Sequence, residues 1–285
     1  MIPFLHIGPL TIPTFGLMVA TAMLSAYYLL RADLARRGLS RSDPTLAETF
    51  IAFPCLAGIA GAKLYHVLET PADLFADPFG QLFSQFGFAW FGGMIAGVAA
   101  FIRIARSKKI ALLDILDAGS AAAALGYGIG RIGCLLSGDG DYGTPTSLPW
   151  GMSFPNGLVP TTQRVHPTPI YELIASCAIA YVLWVLGRRQ ILGWRTAIAH
   201  PEPGVKAAHG ARSRAGKALP RGAVFAAYLV LTGVSRFLVE FIRINPRGFL
   251  GLSNAQQVSA LSVVAGVALW LRIRRQRDAS FLQSQ

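Results

Sequence analysis

Charge is what this sequence has least of. Asp, Glu, Lys and Arg make up 14% of its 285 residues, against about 25% in a soluble globular domain. That shortage excludes an ordinary water-soluble fold. Acidic residues are the scarcer kind: 14 Asp and Glu stand against 26 Lys and Arg, a formal net charge of +12. In a soluble protein such an excess points to nucleic acid. Here no DNA- or RNA-binding motif accompanies the cations, which cluster on alternate loops between apolar runs, so no nucleic-acid partner is expected. Cysteine is scarce too. Cys55, Cys134 and Cys177 lie in or beside apolar segments without metal-ligand spacing, which excludes a disulfide framework or a zinc site. The opening stretch MIPFLHIGPL has no basic region ahead of its apolar residues. It does not read as a cleavable signal peptide, and the first apolar segment is expected to stay in the mature protein.

What the sequence has in quantity is apolar length. Hydrophobic residues make up 53% of it, and several runs approach the roughly 20 residues needed to cross a bilayer. The pattern predicts an all-α integral membrane protein of about seven transmembrane helices forming a single domain over residues 1–285. The spans fall near Thr11–Leu30, Leu46–Leu68, Phe88–Ala105, Leu112–Leu136, Pro169–Leu186, Ala223–Ile242 and Ala255–Leu271. The fourth carries Asp114, Asp117 and Arg131 among many small residues. That suits a helix surrounded by other helices rather than by lipid. Basic residues crowd the loops after spans one, three, five and seven, whereas Glu69 to Gln85 has none. By the positive-inside rule the N-terminus is expected outside and the C-terminus in the cytoplasm. The stretch Arg188–Arg221, rich in cations, Pro and Gly, reads as a mobile cytoplasmic insert, and His200 and His209 within it read as solvated.

Charges at the ends of apolar spans are costly, so each needs a reason. Arg131 lies near the outer end of span four. Asp139 and Asp141 follow in a Gly-rich loop that closes at Gly143. His166, Tyr171 and Glu172 stand at the outer start of span five. Glu240 and Arg243 close span six, with Arg236 about two turns deeper. Mutual neutralisation accounts for any one of these. Several arginines at one leaflet would also suit an anionic headgroup, because guanidinium forks match phosphate oxygens. Cys134 reads as a small packing residue, since nothing in its sequence neighbourhood activates it. The pair Trp90-Phe91 before Gly92-Gly93 reads as an aromatic belt above a close-packing step.

Three motifs carry a family resemblance. GRIGCLLSGDGDYG (130–143), HPTPIYE (166–172) and SRFLVEFIR (235–243) resemble, in order and spacing, the signature blocks of the phosphatidylglycerol–prolipoprotein diacylglyceryl transferases of bacterial inner membranes. The resemblance covers nearly the whole chain. It implies a multi-pass inner-membrane enzyme with no metal and no cofactor. Its partners would be phosphatidylglycerol, prolipoprotein signal peptides bearing a lipobox cysteine, and membrane lipids. It implies Arg131 and Arg236 as the essential arginines, with Asp139 or Asp141 in place of the signature carboxylate. Glu240 and Arg243 match the rest of the third block. Cys134, Gly143 and Tyr171 also fall in these blocks and join the expected substrate site, and His166 and Glu172 are the base candidates. The chain departs from the family at four positions. Cys134 stands where relatives have Asn, Phe15 where many have Tyr, Phe91 where many have His, and Lys63 where many have Arg. Those departures leave a second reading, a catalytically weak relative that binds phosphatidylglycerol or lipoprotein signal peptides.

Overall fold

The computed structural model describes residues 1–71, 77–83, 89–198 and 219–282. The chain starts with a hairpin rather than a helix. Strand β1 (Phe4–Ile7) pairs antiparallel with β2 (Leu10–Pro13), and Gly8 turns between them at φ 59°. Helix α1 (Thr14–Arg37) begins directly after Pro13, which has no N–H to continue a ladder. The Thr14 hydroxyl donates to the Pro3 carbonyl at 3.0 Å and ties the helix start to the hairpin. The first span therefore starts three residues later than its hydropathy predicts. It also runs past Leu30 to Arg37, because arginine is a good helix former and a helix does not stop where its apolar face ends.

Helices α2 (Leu46–Glu69), α3 (Pro78–Phe83), α4 (Trp90–Ser107) and α5 (Leu112–Ser137) follow. A second hairpin pairs β3 (Met152–Phe154) with β4 (Thr161–Val165). The remaining helices are α6 (Thr168–Ile198), α7 (Ala223–Val239) and α8 (Asn254–Leu282), with 3-10 turns at Glu240–Ile242 and Phe249–Gly251. Among the described residues, six helices are long and apolar enough to span a bilayer: α1, α2, α5, α6 as far as Leu192, α7 together with its 3-10 extension, and α8 as far as Arg277. The chain is thus a mostly helical, multi-pass membrane protein. Helix α4, the expected third span, is not among the six; its 18 residues include Arg103 and Arg106. Helix α6 continues to Ile198, so the start of the expected insert is helical. Residues 199–218, with His200 and His209, lie outside the described residues.

The described residues form two compact units, Gly38–Ile115 and the remainder of the chain. In the first, α2 and α4 meet backbone to backbone. A Cβ at Gly92 would overlap Tyr65 and the Gly61 carbonyl, and one at Gly93 would lie 3.1 Å from the Gly58 carbonyl. This is the small-residue packing that replaces the hydrophobic effect in lipid. Gly92→Val is expected to lower the thermal unfolding midpoint in detergent, at an overpacking cost of about 1–3 kcal/mol. A midpoint equal to wild type would mean that the two helices separate freely.

In the second unit α5 is the most enclosed helix, with half of its most apolar stretch buried. Ala121 and Ala124 pack with Ala180, Leu183 and Val224, and a Cβ at Gly128 would come within 2.8 Å of Ser176. Small side chains on α5 let α6 approach, as its composition predicts. At one end of this packing Asp117, fully buried, accepts from Gln190 Nε2 at 2.8 Å and from the backbone N–H groups of Gly222 at 2.7 Å and Phe225 at 2.8 Å. Its carboxylate satisfies the orphan donors at the start of α7. The polar groups of the three family motifs belong to the other end.

Candidate active site

Helix α5 ends where Gly138 takes φ 59°, a conformation that suits glycine after a helix. The chain then turns through Gly140, at φ 91°, and lays Asp141 back over the last turns of α5. Arg131 and Tyr127 share one face of α5 because they are four residues apart. Arg236 and Glu240 have the same spacing at the end of α7. The 3-10 turn reverses the chain so that Arg243 faces the same cluster. Gly143 is the crossing point of the three segments. Its N–H donates to the His166 carbonyl at 2.8 Å, and the Thr144 N–H donates to the Ile242 carbonyl at 2.8 Å. A Cβ at Gly143 would come within 2.5 Å of the Ile242 carbonyl oxygen, so only glycine lets these strands bridge. Gly143 is buried and sets the backbone frame of the site.

Three guanidiniums and three carboxylates interlock there. Glu172 is the hub. Its oxygens lie 3.0 Å from Arg131 Nε, 2.7 Å from Arg236 Nη1 and 3.5 Å from Arg243 Nη1. Asp141 pairs with both Arg131 and Arg243. Glu240 lies 2.8 Å from Arg236 Nη2 and 3.6 Å from Arg243 Nε. Formal charge therefore sums to zero within the set, which a low-dielectric setting requires. The layering is not symmetric, however. The Glu172 and Glu240 side chains are 2% and 1% exposed, whereas Arg131 and Arg236 are 14% and 22% exposed. Glu172 and Glu240 stand behind, and the more open part of the cluster is formed by Arg131, Arg236 and Asp141, whose side chain is 29% exposed. Arg243, 4% exposed, is held inside.

Sequence reasoning missed Tyr127. Its hydroxyl donates to Glu172 at 2.7 Å and accepts from Arg131 Nε and Nη2 at 3.1 and 2.9 Å. The i, i+4 spacing to Arg131 was the available signal. Thr168, which donates to the Asp141 carbonyl, was missed as well. So were Asn245 and Ser253, whose donors reach Glu240 Oε1 at 2.6 and 2.8 Å. Glu240 is in this way an anchor for two arginines, itself held by neutral donors.

The structure separates the two aspartates left open by the sequence. Asp141 carries the arginines, whereas Asp139 accepts the Asp141 N–H at 3.2 Å. Burial alone would raise the Asp141 carboxyl, but the guanidiniums of Arg243 and Arg131 outweigh it and hold the group below its ordinary value. A depressed folded-state pKa contributes stability that is complete above the unfolded value of about 3.9 and is lost as pH falls through the folded one. Acidification below about pH 4 is therefore expected to lower the thermal midpoint of the wild type more steeply than that of Asp141→Asn. Parallel curves would remove Asp141 from the account.

Cys134 Sγ lies 3.4 Å from Arg131 Nη1. It and single carboxylate oxygens of Asp139 and Asp141 fall within 4.8 Å of one another. A cation could be offered three ligand atoms here, but the Asp141 carboxylate is already shared by two guanidiniums. His166 and Tyr171 form a separate group. Tyr171 OH accepts from Trp150 Nε1 at 2.7 Å and lies 3.2 Å from His166 Nδ1. These two reach the arginine cluster through the backbone at Gly143.

Comparison with known sequences fits this arrangement. The prolipoprotein diacylglyceryl transferase family profile matches residues 3–201 and 206–272. The chain belongs to that family. A relative from Geobacter sulfurreducens is 28% identical over 96% of this chain and 95% of its own length. Another, from Clostridium tetani, is 30% identical over 89% of this chain and 90% of its own. Both are named phosphatidylglycerol–prolipoprotein diacylglyceryl transferase. In this member of the family Phe15 on α1 packs on the signature helix, since a Cβ at Gly133 would lie 3.1 Å from its ring. The hydroxyl beside Arg131 comes from Tyr127. Phe91, where the resemblance led a histidine to be expected, is exposed at the start of α4.

Proposed function

We infer that this chain transfers the diacylglyceryl group of phosphatidylglycerol to the lipobox cysteine thiol of a prolipoprotein, releasing glycerol phosphate, as the first step of bacterial lipoprotein maturation. The observation that supports this most directly is the pair of arginines, Arg131 and Arg236, both anchored on the buried Glu172 and both partly exposed. The nucleophile belongs to the substrate. As its sulfur bonds to the glyceryl carbon, that carbon's bond to the phosphate oxygen breaks and the thiol proton departs. The phosphodiester becomes a monoester, and one further negative charge grows on the leaving group. Fixed guanidinium donors oppose that growth without reorganising, which is the most effective form of electrostatic catalysis. A free thiol, with a pKa of about 8.5, gains thiolate character beside a cation. Where a base takes part, His166 fits better than Glu172, whose oxygens are taken up by guanidiniums and Tyr127. Asp141, Glu240 and Arg243 then hold the two front arginines in place.

The orientation belongs to the same reading. With α4 counted as a seventh crossing, the N-terminus lies outside and the C-terminus in the cytoplasm of the inner membrane, in line with the basic residues after α1, α4 and α8. The cluster then faces the outer leaflet, where both lipid donor and signal peptide are present. Phe15 and Phe91 favour one competing reading, a weak relative that binds the same lipid or signal peptide without transfer. Labelled phosphatidylglycerol mixed with a lipobox peptide and purified protein separates the two. Label on the peptide, lost when its cysteine is Ser, supports the transferase. Lipid binding without transfer, together with failure to sustain a strain depleted of its own transferase, supports the binder.

A further inference from the structure

Tyr127 is a neutral group set between two charged ones, and its hydroxyl is committed on both sides. It donates to Glu172 Oε1 at 2.7 Å, which uses its single hydrogen. Its lone pairs are thereby left to Arg131, whose Nε and Nη2 both donate to it, at 3.1 and 2.9 Å. The guanidinium carbon of Arg131 lies 4.9 Å from the centre of the Tyr127 ring. Arg131 and Glu172 are close as well, with Nε 3.0 Å from Oε2 and Nη2 3.4 Å from Oε1. Yet Glu172 Oε2 is buried without a hydrogen-bond partner among the described residues. The Arg131 Nε–H is thus directed at the phenol oxygen and not at the carboxylate beside it.

A guanidinium and a carboxylate this close ordinarily form two parallel bonds of about 2.7–2.9 Å. Here the phenol oxygen intervenes and the pair stays loose. The hydroxyl has a cost of its own. Tyr127 is 43% exposed on a helix long and apolar enough to span a bilayer, where phenylalanine would offer the same ring with no polar group to satisfy. What the hydroxyl adds is the position of Arg131. Without it, Nε and Nη2 are free to close on Glu172, whose side chain is 2% exposed against 14% for Arg131. That movement draws the guanidinium towards the buried hub. A cation in a tight two-bond pair is more fully neutralised, and it opposes new negative charge less.

We propose that Tyr127 is a positioning residue for diacylglyceryl transfer, a role that rests on the transferase reading: its hydroxyl diverts the Arg131 N–H groups from Glu172 and keeps that guanidinium out of a closed pair with the buried carboxylate. The effect falls on turnover more than on donor binding. Arg236 still meets the ground-state phosphodiester, whereas the additional charge on the leaving group exists only in the transition state.

Tyr127→Phe in the detergent-purified full chain tests this by kinetics and by structure. With phosphatidylglycerol and a lipobox peptide, kcat is expected to fall about tenfold, the worth of one hydrogen bond to a charged group, with KM for the lipid within about twofold of wild type. In an Arg131→Lys background the same change is expected to cost less than about twofold, because lysine has no fork to divert and coupled residues are not additive. Should Tyr127→Phe fail to fold, Tyr127→Leu carries the same test. A loss of equal size in both backgrounds would mean that the phenol acts on the substrate directly, which overturns the positioning role. So would a rise in KM with kcat unchanged, or full activity in Tyr127→Phe. A crystal structure of Tyr127→Phe reads the pose itself, and both Arg131 Nε and Nη2 are expected to donate to Glu172. A guanidinium left in its wild-type place would refute the proposal whether or not any transfer is seen. Absence of transfer in the wild type, by contrast, removes the transferase reading and with it the catalytic purpose of the pose.

Discussion

Arg131→Ala is expected to reduce the initial rate of diacylglyceryl transfer by about a thousandfold, while Arg131→Lys keeps a small but measurable fraction. The loss for alanine follows from removing one preorganised donor at a developing oxyanion, typically worth 10²–10³ in rate, together with disruption of the pairs to Asp141 and Glu172. Lysine restores the charge but not the planar fork. One ammonium cannot hold the geometry in which Arg131 meets Asp141, Glu172 and Tyr127 together. The measurement is the rate of label transfer from phosphatidylglycerol to a lipobox peptide at saturating donor. Full activity in Arg131→Lys would show that a point charge suffices and that fork geometry is irrelevant. Full activity in Arg131→Ala would place the chemistry elsewhere.

Glu172→Gln is expected to have the largest effect on stability, because of what it leaves behind. The carboxylate is 2% exposed and touches Arg131, Arg236 and Arg243, besides accepting from Tyr127. Breaking a buried pair by removing one partner costs about 3–5 kcal/mol, since the remaining charge stays uncompensated. Here the three guanidiniums would keep only Asp141 and Glu240. The thermal midpoint in detergent should fall steeply, and transfer should fall with it as Arg131 and Arg236 lose their common anchor. This outcome separates a counter-ion from a general base. A residue acting only as a base would leave a stable protein when replaced by its amide, with activity alone abolished. An unchanged midpoint with no activity would return Glu172 to the base role and withdraw the anchoring one.

Much of this protein could be read from composition and order. Apolar runs of bilayer length can be satisfied only by helices or a closed barrel, and no alternating pattern of barrel strands accompanies them, so the helical membrane class followed directly. The enclosed position of α5 followed from its alanines, glycines and charges, because side chains of that kind gain nothing from facing lipid. The motifs named Arg131, Glu172, Arg236, Glu240 and Arg243 as a group. Helix ends were less legible. Hydropathy marks where apolar side chains stop, whereas Arg37, Arg188 and Arg274 continue their helices on backbone hydrogen bonds alone. Which groups meet was decided by the tertiary structure. Asp139 and Asp141 are equivalent in composition and two residues apart, and positive φ at Gly138 and Gly140 carries only Asp141 to the guanidiniums. Glu172 looked free to act as a base in its motif. It became a counter-ion because α5 brings a hydroxyl and a cation, and α7 a second cation, to its place on α6 across separations of 41 to 64 residues. Contacts between segments so distant in sequence depend on how three helices pack, which no local pattern encodes.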